Sequence, residues 1–299
     1  MTSLVIKRSI SSKNIPELLL LLVAVVWGMS YGLTKSAIAY TTISVFIIIR
    51  FGLTFLILLP IAIRDFKNKK SQNWIVAVPT GVILALIFSF EVYGVSKTSA
   101  SNAAFLISLN VIFTALVDTL ISKKKPNRKL IGLTALSTLG VMLLTYSHGL
   151  NISFNNGDIS ILIAAFLRAI MVTTNKLTHQ KQVTNTTLTC IQALVVSACA
   201  YLATVTLSNS HVPTFPIEND FWFITAFLVL FCTLFAFYAQ NYSVRKIAPT
   251  KASLLMGSEP LFGALFSMLW LNETFTSTQW IGAMIVLGAI VTASVDKQE

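Results

Sequence analysis

The stretch EVYGVSKTSASNAAFLISLNVIFTALVDTL (91–120) returns 149 residues later as QNYSVRKIAPTKASLLMGSEPLFGALFSML (240–269). Laid together without a gap, the two share Tyr93/Tyr242, Val95/Val244, Lys97/Lys246, Ala103/Ala252, Leu106/Leu255, Phe113/Phe262, Ala115/Ala264, Leu116/Leu265 and Leu120/Leu269. Composition alone gives two unrelated apolar segments of this length about three identities. A shift of 141 residues likewise lays Lys35 on Lys176, at the ends of corresponding runs. The chain therefore reads as a duplication, with halves at 1–147 and 148–299.

What is duplicated is membrane-like. Of 299 residues, 55% are hydrophobic and 11% charged, and the mean hydropathy is +0.77. A soluble domain carries about 25% charged residues, so a soluble enzyme, a disordered tail and a disulfide scaffold are all excluded by composition. A helix crossing about 30 Å of hydrocarbon needs about 20 mainly apolar residues. Ten runs meet that description, near 16–38, 43–63, 74–95, 101–121, 130–147, 158–176, 187–208, 220–243, 250–271 and 278–295. The first has a longer apolar stretch than a signal peptide and no small-residue cleavage site at its end, so it reads as a retained span. The expected fold is an all-α integral membrane protein of ten transmembrane helices, arranged as two five-helix repeats around a central cavity. Cys190, Cys199 and Cys232 lie in apolar runs without ligand spacing and read as small core residues.

The net charge of +11 has a matching explanation. Lys7, Arg8 and Lys13 precede the first span; Arg64, Lys67, Lys69 and Lys70 follow the second; and Lys123, Lys124, Lys125, Arg128 and Lys129 follow the fourth. Lys181, Arg245 and Lys246 follow the sixth and eighth, whereas the odd-numbered connections hold only Lys97. The positive-inside rule then places both termini in the cytoplasm, and the excess charge orients the chain rather than binding nucleic acid. Five spans per half is an odd number, so the second repeat enters from the opposite side. Inverted repeats of this kind mark transporters that hold substrate near the midplane.

Trp27-Gly28, Lys35 and Arg50 in the first two spans resemble the EamA-type drug/metabolite transporters. So does ASLLMGSEPLFGALF (252–266) leading to Asn272-Glu273 and then Gln279-Trp280-Ile281-Gly282. The first repeat departs from the pattern, with Asn110-Val111 in place of Glu259-Pro260 and Lys124 in place of the terminal Glu. The resemblance covers 16–295 and implies a ten-helix bundle whose cavity is lined by helices 1, 3, 4, 6, 8 and 9. It also implies traffic in amino acids, amines and other small metabolites, mostly outward, and a bacterial inner membrane.

Ionisable groups within a bilayer are costly and mark candidate sites. Glu259 lies mid-span beside Pro260 and can accept a proton or pair with a substrate amine, or else serve as a fixed ion-pair partner. Arg168, at similar depth, is its natural counterpart, able to grip a carboxylate or simply to fix helix registry. Glu91 and Arg50 lie at depths that suit a structural pair, Asp118 suits an interfacial pair, and Lys35 and Lys176 suit snorkelling. Trp27, Tyr31, Tyr93 and Tyr238 are candidates to line the cavity, and Asn110, Asn175, Gln240 and Ser258 to supply hydrogen bonds. Trp74, Trp222, Trp270 and Trp280 fit interfacial belts, while Gly28/Gly32, Gly132/Gly140 and Gly282/Gly288 fit close helix approach.

No phosphate-binding loop, cofactor motif or metal-ligand pattern is present in the sequence, and His148, His179 and His211 fall in loops or at span ends. The reading is a secondary transporter rather than an intramembrane enzyme or a charge-ringed channel. Its partners are a small-molecule substrate and the lipid bilayer, and it functions as a monomer. Export of an amino acid or related amphoteric metabolite fits a buried acid beside a buried base; import of an amine or nucleoside-like metabolite is the alternative.

Overall fold

The computed structural model describes residues 15–122, 128–145, 155–177, 182–207, 215–270 and 276–295. The first half holds α1 (Ile15–Ala37), α2 (Ile43–Lys67), α3 (Ala77–Lys97, entered through a 3₁₀ turn at Trp74–Val76), α4 (Ala100–Ser108), α5 (Asn110–Ser122) and α6 (Arg128–Thr145). The second holds α7 (Asn156–Leu177), α8 (Asn185–Leu207), α9 (Asn219–Phe227), α10 (Ala236–Val244), α11 (Pro249–Met256), α12 (Glu259–Trp270) and α13 (Ser277–Val295). Between α9 and α10 the helix continues through a π-helical stretch, Leu228–Phe235.

Among the described residues, seven helical segments are long and apolar enough to cross a membrane: Ile15–Ala37, Ile43–Lys67, Trp74–Lys97, Asn102–Ile121, Asn156–Leu177, Asn185–Thr206 and Asn219–Val244. Ten were expected. Of the other three runs, that at 250–271 is split at Gly257–Ser258 into α11 and α12, α13 supplies only a shorter apolar helix, Ser277–Ala293, and α6, of 18 residues, is not among the seven. The run at 101–121 bends at the corresponding place, Leu109. Helices begin where side chains can take up orphan N–H groups. Ser99 Oγ accepts from Asn102 N at 3.1 Å, and Asn155 and Asp158 cap α7 reciprocally at 3.0 and 3.1 Å.

Tertiary packing shows the duplication. α1 packs on α10 and α12, and α7 packs on α3 and α5; α2 lies against α8, and α6 against α13. Exchanging the repeats maps each of these pairs onto another or onto itself, as a pseudo-two-fold relation requires. Phe46, Phe51, Phe88, Phe237 and Trp27 fill the centre, whereas Leu56, Leu120, Phe223 and Met284 are exposed. An exposed apolar shell of this extent is a lipid-facing surface, and helices are the form in which a chain satisfies its own backbone there.

Gly28 and Gly263 place α1 and α12 in backbone contact: a Cβ on Gly28 would lie 2.5 Å from Glu259 O and 2.7 Å from Gly263 N. Gly140 and Gly282 do the same for α6 and α13, with Gly282 against Leu144 N at 2.5 Å. Gly32, Gly132 and Gly288 have open space instead, so close approach uses only half of the glycines expected to provide it. Lys35 also differs from expectation. Its Nζ donates to Thr98 O at 2.8 Å, and Lys176 Nζ donates to Arg245 O at 3.3 Å, so each ties the end of its helix to a turn of the bundle rather than snorkelling. Asp118 accepts from Thr250 Oγ1 at 3.2 Å; Lys123, Lys124 and Lys125 lie outside the described residues.

Candidate functional site

Arg168 stands at the centre of the bundle on α7, where that helix packs against α3. Its Nη2 donates to Glu91 Oε2 at 2.9 Å and its Nη1 to Glu259 Oε1 at 3.1 Å. The other oxygen of Glu259 accepts from Tyr31 Oη at 2.6 Å. The guanidinium also lies over the Trp27 ring, 4.8 Å from its centroid, a cation–π contact. All five side chains are buried, with Glu259 at 1% exposure. One guanidinium thus spans two carboxylates from opposite repeats, and a phenol and an indole on α1 complete the enclosure.

The local sequence explains how α1 reaches this centre. Trp27, Ser30, Tyr31 and Thr34 follow helical spacing and are all buried. Gly28, on the adjoining side, lets the backbone of α12 come close enough for Tyr31 to meet Glu259. Trp27 Nε1 donates to Cys232 O at 2.8 Å. That carbonyl is available because of the π-helical stretch: Ala236 N–H reaches Phe231 O, five residues back, instead of Cys232 O. π-helical bulges recur at functional sites.

The expected Glu91–Arg50 pair does not form. α3 turns Glu91 toward α7 and Arg168, while Arg50 Nε donates to Thr233 Oγ1 at 2.8 Å within the π stretch. The Arg50 guanidinium is packed among Phe46, Phe51 and Phe88, at 6.0, 5.8 and 5.1 Å from their centroids, with no carboxylate partner among the described residues. Phe237 links the two arginine environments, lying 5.4 Å from Trp27 and 5.9 Å from Phe88.

Glu259, Arg168, Glu91, Trp27 and Tyr31 are therefore brought together, and the remaining candidates fall elsewhere. Asn110 and Gln240 are buried, and Asn110 Oδ1 and Gln240 Oε1 have no hydrogen-bond partner among the described residues. Under the 149-residue register they are the equivalents of Glu259 and Glu91, so the neutral positions of one repeat mirror the charged positions of the other. Ser258 Oγ donates to Leu255 O at 2.6 Å and closes the break before α12. Tyr238 and Tyr93 are 45% and 38% exposed on the outer surface and do not join the cluster. Asn175 belongs to a second polar network: its Nδ2 donates to Asn241 Oδ1 at 2.9 Å, and Asn241 Nδ2 reaches Thr189 and Gln192 at 2.9 and 3.0 Å. Gln192 continues it to Thr80 at 2.9 Å. The sequence reading missed Asn241, Thr189, Gln192 and Thr233, although polar residues three apart in an apolar run (Thr189 and Gln192) were a visible signal. No group of His, Cys, Asp and Glu suited to a metal ion occurs among the described residues.

A duplicated helical bundle with an apolar outer surface is an integral membrane protein, and comparison with known proteins shows its family. The model of the EamA-like transporter family matches residues 14–146 and again 155–295, so the chain belongs to that family and carries its domain twice. An uncharacterized transporter of Archaeoglobus fulgidus is 25% identical over 279 residues, spanning 93% of this chain and 85% of that protein. The uncharacterized transporter YyaM of Bacillus subtilis is 24% identical over 279 residues, 89% of each chain. A protein of known crystal structure shares the fold, with a TM-score of 0.77 at 13% identity over 93% of this chain and 96% of that one.

Proposed function

We propose that the protein is a secondary transporter that exports an amino acid or a related amphoteric metabolite across the bacterial inner membrane, by alternating access between two inverted repeats. The observation that carries this reading is the Glu91–Arg168–Glu259 cluster. It joins the repeats at the centre of the bundle and holds two carboxylates to one guanidinium. In a desolvated site that imbalance favours a proton or a cationic group on the substrate. Arg50, with no carboxylate partner among the described residues, offers the complementary contact for a substrate carboxylate. Asn110 Oδ1 and Gln240 Oε1 are spare buried acceptors for an ammonium, since an unmet buried acceptor is costly until something donates to it. The direction follows what is common among members of the family, and the cation-rich connections then face the cytoplasm with both termini.

Proteoliposome uptake with a panel of labelled amino acids, amines and nucleosides, with and without a pH gradient, tests the reading. Glu259→Gln is expected to lower transport of the accepted substrate at least about tenfold, the scale of one hydrogen bond to a charged group. It should also flatten the response to the gradient. Unchanged transport and unchanged pH response would overturn the assignment.

The ends of the bundle support alternating access. Lys251 Nζ pairs with Glu17 Oε1 at 3.1 Å, joining the start of α11 to the start of α1. Asn102 Nδ2 donates to Asp158 Oδ1 at 2.6 Å, joining α4 to the start of α7. The 149- and 141-residue registers make these the same contact in the two repeats, one ionic and one not. Both are closed, so each end has its own latch. Asn102→Lys should give the second end an ionic latch to Asp158. An added 1–2 kcal/mol shifts an opening equilibrium by about 5–30-fold. Accessibility of a cysteine placed beside Asp158 should fall accordingly, with turnover slowed; unaltered accessibility would remove the latch from the mechanism.

A further inference from the structure

Away from the central cluster, a cavity of about 710 Å³ opens at the end of the bundle where the α2–α3, α7–α8 and α10–α11 connections meet. Lys69, Lys70, Arg245 and Lys246 line it together with Thr184 and Tyr242, and no acidic residue does among the described residues. The neighbouring carboxylate, Asp65, is engaged by the Thr184 hydroxyl at 2.6 Å. Two of the four cations are positioned by the protein: Arg245 Nη1 donates to Val183 O and Asn185 Oδ1 at 3.0 and 2.7 Å, and Lys246 Nζ lies 3.7 Å from the Tyr242 ring centroid. The ammonium groups of Lys69 and Lys70 have no partner among the described residues. Asn185, the first residue of α8, lines the cavity as well, adding the positive end of a 23-residue helix.

Two further features say what kind of anion this site takes. Lys69 has φ 57°, in the left-handed region, where it closes α2 with Lys70 N–H bonded to Asp65 O at 2.9 Å. Glycine is the favoured residue at that position, and a lysine there is strained. The lysine places an ammonium on the cavity wall at that conformational cost, and strain of this sort points to function. The depth is also marked. Phe66 and Trp74 flank the same connection, meet edge to face at 6.4 Å and are each about two-fifths exposed, as in an aromatic belt at the headgroup level.

We propose that this cavity binds the phosphate of an anionic lipid headgroup from the leaflet at this end of the bundle. Basic recesses between helix ends, beside an aromatic belt, suit a headgroup phosphate, and each lysine or arginine near it adds to the attraction. The full-length protein, purified and delipidated, is tested by native mass spectrometry with phosphatidylglycerol, phosphatidylcholine and inorganic phosphate. Phosphatidylglycerol is expected to be retained at least about tenfold better than phosphatidylcholine, and the K69Q/K70Q/K246Q protein should lose that preference. Lys69→Gly alone should weaken phosphatidylglycerol binding about fivefold while the melting temperature stays level or rises, which separates lost charge from a damaged fold. Equal retention of the two lipids, an unaffected triple variant, or displacement of phosphatidylglycerol by millimolar inorganic phosphate would each overturn the proposal.

Discussion

Arg168→Met abolishes transport and lowers the stability of the folded bundle by about 3–5 kcal/mol, the range for removing one partner from a buried ion pair. The expected loss is large because the guanidinium serves two carboxylates at once, at 2.9 and 3.1 Å. Without it Glu91 and Glu259, one from each repeat, face one another in a desolvated space with Tyr31 the one remaining donor to them among the described residues. Thermal unfolding in detergent measures the first effect and proteoliposome counterflow the second. The E91Q/R168M/E259Q protein separates them: with all three charges removed, the cluster leaves no unpaired charge behind and the melting temperature should recover. Transport should not, if the charges themselves act on substrate or proton. Transport by the triple variant at the native rate would reduce the cluster to a structural brace, and native-like stability in Arg168→Met would remove even that role.

Gly28→Val is the second large effect. A Cβ at this position meets backbone, at 2.5 Å from Glu259 O and 2.7 Å from Gly263 N, so no rotamer change relieves it. α1 and α12 must separate, and the Tyr31–Glu259 hydrogen bond at 2.6 Å is made across that same contact. Overpacking costs about 1–3 kcal/mol where side chains can yield, and a backbone clash lies at or above the upper end. Transport should fall more than tenfold, since a hydrogen bond to a charged group is worth about 1.5–3 kcal/mol. Gly32→Ala, four residues along the same helix with nothing within 4 Å of the added atom, is the control. It should fold and transport as the native protein does, within about 0.5 kcal/mol. Equal tolerance of both substitutions would show that α1 and α12 are not held together at Gly28.

The sequence was most informative where the physics is local or repetitive. Membrane residence follows from apolar run length, and duplication from aligned identities. That Glu259 and Arg168 stand at similar depth in their spans follows from counting residues. Their pairing was legible because two opposite charges at one depth in hydrocarbon have few other partners. Glu91 was misassigned for the same reason: depth allowed either Arg50 or Arg168, and depth says nothing of which way α3 turns. Tyr31 and Tyr238 looked alike in sequence, yet one donates to Glu259 and the other lies on the outer surface.

The sequence by itself determined that the chain is a duplicated, membrane-embedded helical protein with ionisable groups inside its apolar runs. It did so because hydrophobic length and repeated spacing are properties of the chain in order. Only the tertiary structure decided that one arginine serves both carboxylates, that a π-helical stretch frees Cys232 O for Trp27, and that Lys251–Glu17 and Asn102–Asp158 are one contact made twice. Each of those depends on the rotation of a helix about its own axis. That rotation is set by packing against partners up to 234 residues away, and no single helix encodes it.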